Sequence, residues 1–417
     1  MNKRTFLKRT ATLGLAGLVS FESLGSWLKQ YDSFSADELA VDEDFWAGIR
    51  AGYKLKPDYI NLENGYYNFV PTETLEKYIE HIREVNLQGS YYMRTVQTEN
   101  KKKVITKLAE LMGCKPEEMA LTRNTTESLD TVINGFHWQA GDEAIMAEQD
   151  YGSIVNQFKL MEKRYGIVLK VLSVPNHPAN DEEIVEMYRQ AITPKTKLLL
   201  VSHMVNITGQ ILPIRKICDM AHSLNVDVAV DGAHCVGHFK FRIPELGCDY
   251  YAASLHKWLS VPLGSGLLYV KEGKAPSLWS LMADWRMQDD ITHLAHTGTH
   301  PVATDLTILD AIDFYQKLGP ERKEARLRYI QNYWTSRVKG NKNIVLNTPP
   351  DRACGIANVG IINMKPADMA KVLLDKYKIW TVAIDGQNVS GCRITPNVYT
   401  TTQELDAFVK ALTEMAA

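Results

Sequence analysis

From about residue 77 the chain alternates two hydrophobic rhythms. Segments 102–112, 181–191 and 214–224 carry apolar residues at three- and four-residue spacing, which predicts amphipathic helices. Between and around them stand short apolar runs at 119–122, 144–147, 168–174, 197–202, 226–230, 250–254 and 266–270. Runs of this length without polar alternation predict strands buried on both faces, as in a parallel sheet. The alternation predicts an α/β fold: a large domain over 77–300 whose mostly parallel sheet is covered on both faces. Beyond Pro301 the texture changes. Long helical stretches at 305–318 and 321–338 precede strand candidates at 356–364 and 380–384 around a helix at 367–377. A strand near Cys392 and a helix at 403–414 close the chain. This predicts a smaller α+β domain over 301–417, with residues 31–76 packing against it.

The N-terminus departs from this pattern. Lys3, Arg4, Lys8 and Arg9 precede an apolar run at 11–21, interrupted by Thr12, Gly14, Gly17 and Ser20. That run is too short to cross a bilayer and has the proportions of an export signal. Lys3, Arg4, Phe6, Leu7 and Lys8 resemble a twin-arginine signal with lysine in the first basic place. Residues 1–30 are therefore expected to lie outside the fold, and the protein to be periplasmic. The alternative is a disordered arm on a cytoplasmic protein. Net charge is −2, which gives no reason to expect a nucleic acid partner. The six cysteines are scattered with no C-x-x-C pair, so they predict buried thiols and no metal site.

Chemistry is sought at the carboxyl ends of the strands, where open α/β sheets bind ligands. Lys257 follows one strand end, after Ser254 and His256 and before the turn at Gly264. A lysine forms a Schiff base when burial holds its amine unprotonated. Asp231 ends another apolar strand, three residues before His234. Its carboxylate is either a helix cap or the partner of a protonated ring nitrogen. Asn124, Thr125, Thr126 and Glu127 form a capping-box pattern at a strand-to-helix turn, and a helix start with threonine hydroxyls is a seat for phosphate. Asn206 follows a fourth strand, as a turn residue or a donor to a phenolic oxygen. Tyr151 follows a fifth, as a packed ring or one that stacks on a planar cofactor. Arg393 lies in the small domain, as a surface ion or a bidentate clamp for a carboxylate.

In this order the motifs resemble the class V aminotransferase family of fold-type I pyridoxal-phosphate (PLP) enzymes, over roughly 58–415. The segment around Asn61, Asn64 and Tyr67 looks closest to the isopenicillin N epimerase-like branch. The resemblance implies PLP as cofactor, Lys257 as Schiff-base lysine and catalytic base, and Asp231 on the ring nitrogen. It implies Asn206 and His234 beside the ring, Tyr151 stacked on it, and Asn124, Thr125, Thr126, Ser254 and His256 around the phosphate. Thr299 would reach the cofactor of a second subunit, which implies a homodimer. Arg393 would bind the α-carboxylate of a small amino acid, with Asn64 and Arg94 in the side-chain pocket. The implied chemistry is epimerase or aminotransferase chemistry at Cα. Alternatives are a C–S or other β-lyase, and a catalytically silent PLP-binding module. Cysteine desulfurases share these motifs but carry a reactive cysteine on a loop shortly before the arginine, and the stretch 383–391 has none. A Rossmann-type nucleotide enzyme is set aside, because no G-x-G-x-x-G follows a first strand.

Overall fold

The computed structural model describes residues 21–56, 58–282 and 291–417. The basic and apolar stretch expected to act as an export signal lies, over residues 1–20, outside them. Seven strands form the large sheet in the spatial order Met119–Thr122, Gly266–Val270, Tyr250–Ser254, Asp227–Asp231, Thr196–Ser202, Glu143–Ala147 and Val168–Leu172. All neighbours are parallel except around Gly266–Val270, which runs antiparallel to both of its partners. The continuous apolar runs follow from this burial. In Thr196–Ser202, Leu199 and Val201 face one core while Leu198 and Leu200 face the other. The two cores lie on opposite faces of the sheet, as the period of two requires.

One strand departs from the expected burial. Val168 and Val171 are about half exposed, because Val168–Leu172 is an edge with a neighbour on one side only.

The small domain holds a four-stranded antiparallel sheet in the order Val382–Gly386, Val389–Ile394, Ala357–Ile361 and Ile344–Leu346. The helices Pro320–Val338, Pro366–Tyr377 and Thr402–Met415 contribute Trp334, Leu373 and Phe408 to its core. The strand expected at 380–384 is divided. Ile379–Trp380 pairs in parallel with Ile60–Asn61 from the N-terminal segment, and Val382–Gly386 stays in the sheet. The helix Val302–Leu318 does not open the small domain cleanly. Ile308, Ala311 and Ile312 belong to the large-sheet core, whereas Phe314 and Leu318 belong to the small-domain core.

The N-terminal segment enters the fold earlier than residue 31. Leu28 and Tyr31 are buried in the small-domain core, and Trp27 stacks on Phe45 with centroids 5.2 Å apart. Burying these side chains stabilises the segment by about 1.5–3 kcal/mol each, so it belongs to the fold. Further on, the buried guanidinium of Arg326 donates to the Ala40 and Thr400 carbonyls and to Glu43, which fixes the N-terminal helices on the small domain. Gly209 seals the junction between domains. Its φ is +78°, and a Cβ there would lie 2.1 Å from the Ile356 carbonyl oxygen. Among the described residues no helix is long and apolar enough to cross a membrane, and no group of His, Cys, Asp and Glu is arranged to hold a metal ion.

Candidate active site

The carboxyl ends of the parallel strands converge. Ser202 stands opposite Asp231, and Asp231 opposite Ala252. Above them lies a cavity of about 270 Å³. It brings together Asn124, Thr125, Thr126, Tyr151, Asn206, Asp231, His234, Ser254, His256, Lys257 and Arg393. Eleven predicted residues thus share one space, although 269 positions separate Asn124 from Arg393 (393 − 124). Thr299 and Arg94 do not join them. Both are exposed, away from the cavity of their own chain.

One end of the cavity is built by the helix Thr125–Gly135. The Asn124 side chain caps it, accepting from the Glu127 N–H at 2.9 Å. The expected capping box is only half formed. Glu127 accepts instead from the Arg123 N–H at 2.6 Å and from its guanidinium at 3.0 and 3.1 Å. That pairing holds Arg123 at the cavity wall. Ser254 accepts from the Thr125 N–H at 3.0 Å and lies 2.7 Å from its hydroxyl. A helix start, two threonines, a serine and an arginine therefore face one another, a donor set suited to a phosphate. The approach depends on Gly266, where a Cβ would sit 2.8 Å from the Asn124 backbone.

On the cavity floor, Asp231 accepts from the Ala233 N–H at 2.9 Å. Burial pushes its carboxyl up, while that N–H and Lys257 oppose the shift and favour the carboxylate. It is the only carboxylate among the lining residues, set against Arg123, Lys257 and Arg393. The donors at the helix start, with the Arg123 and Arg393 guanidiniums at the wall, suit an anionic ligand.

The Lys257 Nζ lies 2.9 Å from His234 Nε2. Burial lowers the amine from the ordinary lysine range to about 8; Asp231 opposes that shift and Arg393 adds to it. An amine with this value holds a useful neutral fraction near pH 7. Burial lowers the neighbouring His256 to about 4, with Lys257 acting in the same direction. Its Nδ1 lies 3.3 Å from the Ser265 carbonyl, which takes the single ring proton. His256 therefore donates to an anion at Nε2 only after gaining a second proton.

Arg393 reaches the cavity from the strand Val389–Ile394. Its guanidinium donates side-on to Glu63 at 2.5 and 3.2 Å, and to the Asn206 carbonyl at 3.2 Å. Gly65 leaves the room for it, since a Cβ there would lie 2.8 Å from the guanidinium carbon. No local pattern in the sequence marks Glu63, and the expectation there falls on Asn64 beside it. Asn64 is fully buried behind the cavity. Its amide donates to the Thr395 carbonyl at 2.7 Å and its carbonyl accepts from the Tyr399 hydroxyl at 2.6 Å. Asn64 ties the N-terminal segment to the small domain and does not line the pocket.

None of the six cysteines lines the cavity. Cys392 is buried beside Arg393, its Sγ donating to the Pro366 carbonyl at 3.6 Å, and burial pushes the thiol up to about 11. The stretch before Arg393 is a tight hairpin turning at Gln387 and Asn388, both at positive φ.

Residues 70–408 match the family model described as aminotransferase class-V. The chain is 25% identical to an isopenicillin N epimerase of Streptomyces clavuligerus, over 88% of this chain and 97% of that protein. The fold is similar to apo cysteine desulfurase from Thermococcus onnurineus, with TM-score 0.78 and 18% identity over 89% and 98% of the two chains. It is also similar to a C-DES mutant with glycine covalently linked to its PLP cofactor, with TM-score 0.76 and 19% identity over 86% and 97%.

Proposed function

The chain belongs to the aminotransferase class-V family, and from that premise we propose that it is a PLP-dependent enzyme acting at Cα of an amino acid or an amino-acid-containing metabolite, by epimerase or aminotransferase chemistry. The observation that carries this is Lys257, an amine lowered to about 8 in a cavity that also holds Asp231, Arg393 and a helix start. Bound PLP supplies the electron sink that makes a substrate's α-proton acidic. The residues present fit it. Thr125, Thr126 and Ser254 would hold the phosphate, Asp231 the ring nitrogen, and Tyr151 a ring face.

The protein's own groups then divide the work. Lys257 is the covalent attachment point and, once released, takes and returns a proton at Cα, a task suited to an amine that titrates near neutrality. Arg393 binds the α-carboxylate. Glu63 and the Asn206 carbonyl fix its guanidinium plane before substrate arrives, which reduces the entropy lost on binding. Lys257 returning the proton to the opposite face of Cα would give epimerisation, and Lys257 returning it elsewhere than Cα would be the route to transamination.

A desulfurase reaction finds less support, because the cavity offers no thiol to receive sulfur. A β-lyase that releases its leaving group to solvent is the second alternative. Incubation with D- and L-amino acids in D2O separates them. Deuterium at Cα with loss of chirality marks an epimerase, a 2-oxo acid with aminated cofactor marks an aminotransferase, and ammonia with a 2-oxo acid marks a lyase. No exchange with any amino acid would favour a silent PLP-binding module and sink the proposal.

The functional unit in this account is a homodimer, supported by the exposed Thr299 and Arg94 and by the exposed apolar Ile82, Leu87 and Tyr91 nearby in sequence. A light-scattering mass of one chain would contradict it. The basic start around Arg4 supports export by a twin-arginine route, which retention of the native protein in the cytoplasm would contradict.

A further inference from the structure

Behind Lys257 lies a chain of hydrogen bonds in which every proton is accounted for. An indole N–H only donates, as does a backbone N–H, and a backbone carbonyl only accepts. His238 Nε2 lies 2.7 Å from the Gly355 N–H, so this nitrogen is bare. Its Nδ1 lies 2.8 Å from the His234 carbonyl and carries the proton. His234 Nδ1 accepts from Trp258 Nε1–H at 3.3 Å and is bare as well. The single proton of a neutral His234 must then sit on Nε2, the atom 2.9 Å from Lys257 Nζ. Both imidazoles are buried, and burial holds them far below the ordinary histidine range, hence neutral. Trp258 is itself immobile. It is fully buried, its ring stacks on His238 with centroids 3.7 Å apart, and its carbonyl accepts from the buried Lys323 amine.

We propose that Trp258 is a positioning residue: its indole locks His234 as the Nε2–H tautomer, which presents a donor to Lys257 and so biases the ε-amine towards its neutral, nucleophilic form. This rests on the proposed role of Lys257 as the PLP lysine. In the opposite tautomer Nε2 is an acceptor and would stabilise the ammonium form. The other groups acting on these two residues are Asp231, Glu63 and Cys235, which favour the lysine cation, and Arg393, which disfavours it. Arg393, His238 and His256 act on His234 together with Lys257 itself, all against a cationic ring. The lock sets which way the lysine amine is biased within that field. It also links the amine to the small domain through Gly355.

The test is the rate at which PLP added to PLP-free protein captures Lys257, read as pyridoxyl-lysine after borohydride, against pH. Trp258→Phe removes the N–H and keeps an aromatic ring for His238. Its midpoint should move up, and each unit of rise cuts the neutral fraction at pH 7 about tenfold. Capture at about pH 10, where either amine is mostly neutral, should match the wild type. A Trp258→Phe profile that overlies the wild type overturns the inference. A second measurement needs no variant. The imidazole 15N shifts of wild-type His234 should report a protonated Nε2 and a bare Nδ1, and the reverse pattern overturns the lock. Failure of the Lys257 assignment looks different: the wild type itself would yield no pyridoxyl adduct at Lys257, whatever tautomer the 15N spectrum shows, and the lock would lose its purpose.

Discussion

Asp231 acts on two things at once, and Asp231→Asn should move them in opposite directions. Its carboxylate holds the Lys257 amine up against burial, which lowers it to about 8. At that value roughly one tenth of the amine is neutral at pH 7. Removing one opposing charge at close range shifts a pKa by about one unit. Lys257 would then titrate near pH 7, with about half of it neutral. Capture by added PLP should therefore speed up about fivefold at pH 7, with no change above about pH 10. The amide cannot hold a protonated ring nitrogen, so turnover should fall by on the order of 10²-fold or more, the scale of losing one electrostatic contact to developing charge. Borohydride quenching at timed intervals with intact-mass detection measures capture, and Cα deuterium exchange measures turnover. Slower capture in Asp231→Asn would refute its action on the Lys257 amine, and turnover equal to the wild type would refute its role at the ring nitrogen.

Gly65→Ala places a methyl group 2.8 Å from the Arg393 guanidinium carbon; the clamp must shift, and KM for α-carboxylate substrates should rise with little change in kcat. Ser254→Ala removes the bonds to the Thr125 N–H and hydroxyl. With one phosphate donor lost at about 1 kcal/mol, PLP retention measured by dialysis should weaken about fivefold. Cys392→Ala should leave Cα exchange within about twofold, because its thiol is buried and held by Pro366. A larger loss would show that sulfur takes part.

The large domain was legible because its strands are buried on both faces. Where burial is complete, as in Tyr250–Ser254, an uninterrupted apolar run marks the strand and the polar residue after it marks the site. The same rule misjudged Val168–Leu172, whose apolar residues sit on an edge. Lys257, Asp231 and Asn124 were legible for a local reason: each ends a strand or begins a helix within a few residues of its signal. Glu63 was not, because its meaning lies in a partner 330 residues away. Trp258 beside Lys257 reads in sequence as a core aromatic, and only the fold brings its N–H to His234. Asn64 misled by proximity, being one residue from the acid that meets the clamp and committed to Thr395 and Tyr399 instead. The early helices Ala36–Ala40 and Glu43–Arg50 are too short to show a helical period; they are set by burial of Phe45, Trp46 and Ile49.

The most direct test of the whole account is an absorption spectrum of the purified protein with PLP, before and after borohydride, followed by mass analysis of the lysine-containing peptides. A band at roughly 330–430 nm, lost on reduction and traced to a pyridoxyl group on Lys257, is the predicted result. A reduced adduct on another lysine, or none after incubation with PLP, would contradict it.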